Sequence, residues 1–182
     1  MRVITGKAKG VVLKTPEGLL TRPTADRVKE ALFSAIQFSL PGARVLDLFA
    51  GTGQLGIEAL SRGAKAAVFV DHRREACRLV EENLRRTRLE GRVIQADYLS
   101  YLARTKETFD LIFLDPPYGE DFLENAVKRI SEIDILADGG IMVTEHSAGK
   151  ALPERFPGLQ RSRDYRYGKT AITIFQKGEP EE

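Results

Sequence analysis

Short apolar runs alternate with amphipathic stretches along the middle of the chain. The runs are four to six residues long and rich in Val, Ile, Leu and Phe, as buried strands of a parallel sheet are. Between them, apolar residues recur at the spacing of a helix face. The pattern predicts strands at 44–48, 66–70, 92–95, 109–114 and 140–144, and helices at 54–62, 73–88, 98–104 and 120–133. This alternation is typical of an α/β fold whose mostly parallel sheet carries helices on both faces.

The two ends of the chain depart from this alternation. Residues 2–14 contain two short β-prone runs around a Gly-Lys-rich centre and predict a small hairpin, and a helix with an apolar stripe begins at Pro23. Near the other end, runs at 160–166 and 170–176 predict an antiparallel hairpin, which brings the sheet to seven strands. These boundaries divide the chain into an N-terminal hairpin and helix extension (1–40), a sheet domain (41–178) and a tail (179–182).

Composition excludes several classes of protein. The length of 182 residues suits one domain with an ordinary core, and the single Cys77 permits no internal disulfide. The first residues lack the apolar stretch of a signal peptide, and no apolar run approaches the ~20 residues of a membrane span. No Cys/His cluster suggests a metal site. We therefore expect a cytoplasmic protein that binds neither a membrane nor a metal.

The net charge of +2 is unevenly spread along the chain. Residues 1–30 and residues 150–169 each carry a net charge of +4, so the rest of the chain is acidic. Two basic ends on an acidic body suggest a surface for a polyanion such as RNA. Solvated loops would explain the same charges equally well, so charge alone does not decide between the two interpretations.

Asp115-Pro116-Pro117-Tyr118 directly follows the fourth predicted strand. Open α/β sheets bind ligands at the carboxyl ends of their strands, so a ligand is expected here. The prolines stiffen the backbone and leave carbonyl oxygens without competing N–H donors. Asp115 and a proline carbonyl can then accept hydrogen bonds from one planar NH₂ group, while Tyr118 offers a face for stacking. The exocyclic amine of a nucleobase suits this arrangement, and a rigid turn after a strand is the alternative.

A glycine-rich turn joins the first strand of this sheet to the next helix. Gly51, Gly53 and Gly56 match G-x-G-x-x-G, which permits a tight turn and a close approach of the backbone to a nucleotide cofactor. The glycines alone suit NAD as well as S-adenosylmethionine. Asp47, four residues before Gly51, favours the second, because a carboxylate there attracts an amine or a cation and repels a pyrophosphate.

Acidic residues also follow the second and third strands. Asp71 is placed to accept hydrogen bonds from ribose hydroxyls, and Asp97 is placed to accept one from an adenine amine. A lone acid at the end of a strand more often caps a helix. Four strands that each end in an acid, with Asp47 and Asp115 as the other two, predict a pocket instead.

These motifs resemble those of a known enzyme family. Asp47-Leu48-Phe49-Ala50-Gly51-Thr52-Gly53, followed by Asp115-Pro116-Pro117-Tyr118, is similar to the paired signature of class I, S-adenosylmethionine-dependent amino-methyltransferases, which have a Rossmann-like fold. Residues 2–10, 21–33 and 167–171 resemble the RsmD family, which methylates N2 of one guanine in bacterial 16S ribosomal RNA. The resemblance covers almost the whole chain, with Asp71 standing where a glutamate is often expected.

The resemblance implies S-adenosylmethionine as the cofactor and 16S ribosomal RNA as the partner, met in an assembled or assembling small subunit by a monomeric enzyme. The catalytic residues that it implies are Asp115, Pro116, Pro117 and Tyr118. The expected cofactor-binding residues are Asp47, Phe49, Ala50, Gly51, Gly53, Asp71, His72, Asp97 and Tyr98. The basic residues expected to contact RNA phosphates are Arg2, Lys7, Lys9, Arg22, Arg27, Arg163, Arg166 and Lys169.

Three other classes of protein match parts of the pattern. An NAD-dependent oxidoreductase shares the glycine turn, but Asp47 and the lack of an evident acid–base group for hydride transfer count against it. An N-methylase of adenine or cytosine, in DNA or another RNA, shares Asp-Pro-Pro-Tyr, but the chain leaves little room for a separate domain that recognises a DNA sequence. A catalytically idle RNA-binding protein would not need Asp115 and Tyr118.

Overall fold

The structure of the protein is a computed structural model that describes residues 1–18, 23–117 and 121–178. In chain order, its elements are α1 Pro23–Ala35, β1 Arg44–Asp47, α2 Gln54–Ser61, β2 Ala66–Asp71, α3 Arg74–Thr87, β3 Arg92–Gln95, α4 Tyr98–Arg104, β4 Phe109–Leu114, α5 Phe122–Ile133, β5 Leu136–Ser147, β6 Arg155–Phe156, β7 Leu159–Tyr167 and β8 Thr170–Lys177. A short 3₁₀ helix, Gln37–Ser39, follows α1. The predicted tail at 179–182 lies outside the described residues.

All eight of these strands belong to one sheet, in the order β3-β2-β1-β4-β5-β8-β7-β6. Strands β1 to β5 pair in parallel, and β6 to β8 pair antiparallel. The predicted α/β fold and the C-terminal hairpin are confirmed. The predicted count of seven strands is wrong, because Arg155–Phe156 pairs with β7 and is too short to show any alternation in the sequence. The chain order reverses between β1 and β4, and ligands of open α/β sheets bind beside such a switch point.

Alternating strand residues divide the core into two layers. On one face of the sheet, residues such as Val45, Phe69 and Phe113 pack against α1, α2 and α3. On the other face, residues such as Leu46 and Ile112 pack against α4 and α5. The central strands are therefore covered on both faces, as parallel strands usually are. Among the helices of the described ranges, none combines the length and the apolar character that crossing a membrane requires.

The N-terminal segment forms the predicted hairpin in a short form. Arg2 and Val12 make an antiparallel bridge, with backbone hydrogen bonds of 3.0 and 2.9 Å between the two arms on either side of it. The backbone N–H groups of Ile4 and Thr5 donate hydrogen bonds of 2.9 and 3.0 Å to the carboxylate of Glu58 in α2. The hairpin is therefore confirmed, and a buried carboxylate of α2 satisfies two donors that its short arms leave unpaired.

Paired charges around Glu58 and a polar contact with α3 also hold the N-terminal segment in place. The buried charge of Glu58 is balanced by Arg62, whose Nε lies 2.9 Å away, and by the Lys29 ammonium at 3.7 Å. Buried Asn83 of α3 accepts a hydrogen bond of 2.7 Å from the backbone N–H of Lys14 and donates one of 3.0 Å to its carbonyl. Residues 1–14 thus run down α2 and back, and both ends of the segment return to the carboxyl edge of the sheet.

Candidate active site

Acidic side chains gather at the carboxyl edge of the sheet, on the face that α1, α2 and α3 cover. Asp47 and Asp71 are the last residues of β1 and β2. Side chains alternate along a strand, so Asp115 follows buried Phe113 on this face and Glu145 follows Val143. Phe113 lies opposite Val143 in the register of β4 and β5. Asp115 and Glu145 therefore lie beside each other on neighbouring chain segments.

A cavity of about 480 Å³ opens at the switch point between β1 and β4. Its volume is in the usual range for small-molecule sites. The residues predicted at the site that line this cavity are Asp47, Phe49, Ala50, Gly51, Asp71, His72, Asp97, Tyr98, Asp115, Pro116 and Pro117. The structure therefore brings the glycine turn and all four predicted acids to one place. Tyr118 lies outside the described residues.

The three glycines of the turn have different roles. Gly51 has φ +57°, and a Cβ there would meet no atom within 4 Å, so its backbone faces open space. Gly53 is predicted to contact the cofactor, but it does not line the cavity, and a Cβ on it would lie 3.1 Å from Val80 of α3. A Cβ on Gly56 would approach Phe69 to 2.3 Å, so this glycine lets α2 lie close to β2.

Asp47 and Asp71 bind the amide groups of the glycine turn and of α2. Asp71 accepts a hydrogen bond of 3.0 Å from the Gly51 N–H, and Asp47 accepts one of 3.1 Å from the Gly56 N–H. A pyrophosphate at such a turn needs these amides free. Because carboxylates already occupy them, and would repel an anion, the structure disfavours the NAD alternative.

The two acids differ in their electrostatic surroundings. Burial raises the pKa of Asp47 to about 7; the Gly56 N–H opposes this shift and the Asp71 charge adds to it. Burial also acts to raise the pKa of Asp71. Hydrogen bonds from the Arg73 side chain and backbone and from the Gly51 N–H outweigh it, so the pKa of Asp71 is below its usual value. The Arg73 guanidinium that donates two of these bonds is more than half exposed.

Aromatic side chains form one wall of the cavity. The rings of Phe49 and Tyr98 have centroids 5.2 Å apart, and Tyr98 meets Phe122 edge-on at 5.9 Å. Asp97 accepts hydrogen bonds from the backbone N–H groups of Leu99 and Ser100 and so caps α4. Its carboxylate therefore has a structural role while it also lines the cavity.

The Asp115 carboxyl is affected by burial and by two neighbouring acids. Burial raises its pKa well above the usual value, and the neighbouring charges of Glu145 and Asp47 raise it further. Sequence reasoning missed Glu145, although it directly follows the fifth predicted strand as the four acids follow theirs. No group of three or more His, Cys, Asp or Glu in the described part of the chain has the arrangement of a metal site.

A second cavity, of about 500 Å³, adjoins the first at Asp115. Asp115 lines both, together with Met1, Thr52, Gln54 and Leu55. The remaining walls of the second cavity come from the segment before α1, α1 itself, β5 and the turn between β7 and β8: Thr15, Pro16, Ala25, Val28, Lys29, Leu32, Glu145, Tyr167, Gly168, Lys169 and Thr170. The N-terminal segment thus helps to enclose a space that the sequence did not reveal.

The predicted RNA contacts do not form one cluster. Lys169 lines the second cavity, and exposed Arg166 lies two residues before the start of the same turn. Lys7 and Lys9 lie at the other end of α2, where the Lys7 N–H donates to the Ser61 carbonyl. Arg163 donates a hydrogen bond of 3.1 Å to the Ala35 carbonyl at the end of α1. The two others with described side chains, Arg2 and Arg27, are exposed, and Arg22 lies outside the described residues.

Known proteins share this sequence and this fold over nearly their whole length. A family model described as "Conserved hypothetical protein 95" matches residues 1–176. YlbH of Bacillus subtilis is 43% identical, with 97% of this chain and 99% of that protein covered. The ribosomal RNA small subunit methyltransferase D of Escherichia coli is 31% identical, with 97% and 90% covered. The structure of the Escherichia coli protein yhhF superimposes with a TM-score of 0.88 at 32% identity, with 97% of each chain covered. The chain therefore belongs to the RsmD family of ribosomal RNA small subunit methyltransferases.

Proposed function

We propose that this protein transfers a methyl group from S-adenosylmethionine to the exocyclic N2 amine of a guanine in 16S ribosomal RNA. The observation that carries the proposal is the position of Asp115 where the two cavities meet. The first cavity suits a nucleoside cofactor and the second has room for a base, so Asp115 stands at the point of transfer. Membership of a family of small subunit RNA methyltransferases supports RNA as the substrate.

The residues around the first cavity are compatible with S-adenosylmethionine, which supplies an electrophilic methyl group on a positively charged sulfur. Asp47 attracts positive charge, and the open backbone at Gly51 admits a close ligand. Phe49 and Tyr98 offer apolar faces to an adenine ring. Asp71 accepts from the ribose hydroxyls once the exposed Arg73 guanidinium yields its hydrogen bonds.

The guanine amine is a weak nucleophile, because its lone pair is delocalised into the ring. The Asp115 carboxylate and the Pro116 carbonyl each accept a hydrogen bond from one N–H group of the amine. This arrangement points the nitrogen lone pair toward the methyl group. The two acceptors would also stabilise the positive charge that builds on nitrogen as the N–C bond forms and the methyl–sulfur bond breaks, which leaves S-adenosylhomocysteine with a neutral sulfur. The resulting ammonium is very acidic and would then lose one proton to solvent. Holding nitrogen and methyl in contact supplies much of the remaining acceleration.

Asp115→Ala tests this mechanism. The variant should lose about 10²- to 10³-fold in kcat, the size of effect expected when one group that stabilises transition-state charge is removed. Asp110→Asn is the matched control, because Asp110 lies at the opposite end of β4 and accepts the Arg44 backbone N–H. Tritium transfer from labelled cofactor to 16S RNA measures the rate, and calorimetry verifies that cofactor still binds. Unchanged RNA methylation by Asp115→Ala would refute the mechanism.

The identity of the base and the state of the RNA form the remaining part of the proposal. Mass spectrometry of nucleosides from the product should show N2-methylguanosine, and methylated adenine or cytosine would favour the N-methylase alternative. We further propose that a monomer of this single domain acts on an assembled or assembling small subunit, whose shape presents the base. Equal rates on protein-free 16S RNA and on assembled subunits would contradict that part.

A further inference from the structure

We propose that Glu145 selects guanine by accepting a hydrogen bond from its N1–H, beside the N2 amine that Asp115 holds. The inference rests on the proposed function and names the residue that determines which base is methylated. The sequence around Glu145 carries none of the motifs on which that function was first predicted.

Position provides the first argument. Glu145 and Asp115 line the same cavity, on neighbouring chain segments and on one face of the sheet. Neighbouring strands lie about 4.8 Å apart. The N1 and N2 atoms of guanine are separated by one ring carbon, so two carboxylates side by side match two adjacent donors. The Glu145 charge also acts directly on Asp115, since it contributes to the raised pKa of that carboxyl.

The side chains on either side of Glu145 in β5 lie on the other face of the sheet. Thr144 Oγ1 donates a hydrogen bond of 2.9 Å to the Thr173 carbonyl, and His146 Nε2 lies 2.9 Å from Thr173 Oγ1. Side chains alternate along a strand, so Glu145 lies on the face of Asp115, where it is half-buried and lines the second cavity.

The chemistry of the bases provides the second argument. Ionised carboxylates only accept hydrogen bonds. Guanine places two donors, N1–H and the N2 amine, next to each other on its pairing edge. Adenine and cytosine place an acceptor nitrogen beside their amine, which would face a carboxylate with a lone pair. A site built to pair with a donor rejects a ligand that lacks it, because its own polar group is then left unpaired.

The test replaces the N1–H donor of the base with an acceptor, and the Glu145 carboxylate with a side chain that can donate. 2-Aminopurine keeps the amine of guanine but has an acceptor at N1. The full-length wild-type protein should methylate a substrate RNA with guanine at the target at least about 10² times more efficiently, in kcat/KM, than the same RNA with 2-aminopurine. Glu145→Gln can donate to that acceptor, so the preference should fall at least about tenfold. Glu124→Gln, an exposed change on α5, is the matched control and should keep the full preference.

The ratio of kcat/KM on guanine RNA to kcat/KM on 2-aminopurine RNA separates base selection from other roles of Glu145. 2-Aminopurine also lacks O6, but that loss affects both proteins equally and cancels in the comparison. A Glu145→Gln protein that loses the same factor on both bases would overturn the inference, since Glu145 would then act only through Asp115 or through folding. If Glu145→Gln does not fold, Glu145→Ala removes the acceptor and should lower the preference likewise; an unchanged preference in a folded Glu145→Ala protein would overturn the inference. Failure of the wild type to methylate guanine N2 would instead refute the proposed function.

Discussion

Asp47, Asp115 and Glu145 bring three carboxyl groups together beside the two cavities. Burial raises the pKa of Asp47 to about 7 and the pKa of Asp115 well above its usual value. With Asp47, the folded protein therefore binds more protons than the unfolded chain between about pH 4 and pH 7. This carboxyl makes the ligand-free protein less stable as the pH rises through that window. A positively charged ligand reverses the balance, because it favours the ionised carboxylates.

Binding of S-adenosylmethionine should therefore release protons at about pH 6.5, and its affinity should rise between about pH 6 and pH 8. Titration calorimetry in two buffers with different ionisation enthalpies measures the release. Asp47→Asn should reduce it, and Asp110→Asn, which alters a half-buried carboxylate at the far end of β4, should not. Equal heats in both buffers would contradict the prediction.

At the scale of elements, the contact of the N-terminal segment with α2 connects the fold to the site. The Ala8 N–H donates to Ser61 Oγ at 2.9 Å, Ser61 Oγ donates to the Thr5 carbonyl at 2.7 Å, and the Lys7 N–H donates to the Ser61 carbonyl at 2.8 Å. Gly6 is held between these contacts with φ +93°. The same segment places Met1 against both cavities, so its attachment to α2 shapes the site.

Gly6→Ala should destabilise the protein far more than Gly10→Ala. Both glycines have positive φ, which costs alanine about 1 to 2 kcal/mol. A Cβ on Gly6 would lie 1.8 Å from the Ser61 carbonyl oxygen, whereas one on Gly10 would meet nothing within 4 Å. Displacing the segment breaks three hydrogen bonds worth about 1 kcal/mol each, so Gly6→Ala should lose about 3 kcal/mol more. Urea unfolding measures both, and equal losses would show that the segment is not anchored at Ser61.

How far the sequence predicts the elements depends on the range of the interactions that form them. Continuous apolar runs mark β1, β2, β4 and β5 in the sequence because those strands are buried on both faces. The local pattern also predicts the N-terminal hairpin but not its attachment to α2, because Glu58 looks like any helical acid until folding buries it against Ile4 and Thr5. At the site, strand-end acids predict the first cavity. The second needs the N-terminal segment, α1 and the turn after β7 together, and no local pattern shows that meeting.

At the scale of the whole molecule, the two basic ends of the chain reach different regions. Lys169 lies at the second cavity, where RNA must approach if a base enters there. Lys9 lies near the C-terminal end of α2, and eight helical residues span about 12 Å. Arg163 is held by the end of α1. Only part of the basic charge at the two ends of the chain therefore lies near the site.

Lys169→Gln and Lys9→Gln should separate these regions by their response to salt. A lysine that contacts a phosphate releases a counterion, so its loss weakens RNA binding and reduces the slope of log affinity against log salt by about 0.7 to 0.9. Lys169→Gln should show both effects, because Lys169 borders the cavity that we propose for the base. Lys9→Gln removes the same charge from an exposed site beyond α2 and should show the smaller change. Filter binding to 16S RNA from about 0.05 to 0.2 M salt measures both slopes. An equal decrease for the two variants would mean that RNA also covers the far end of α2 and that its contact surface extends well beyond the cavity.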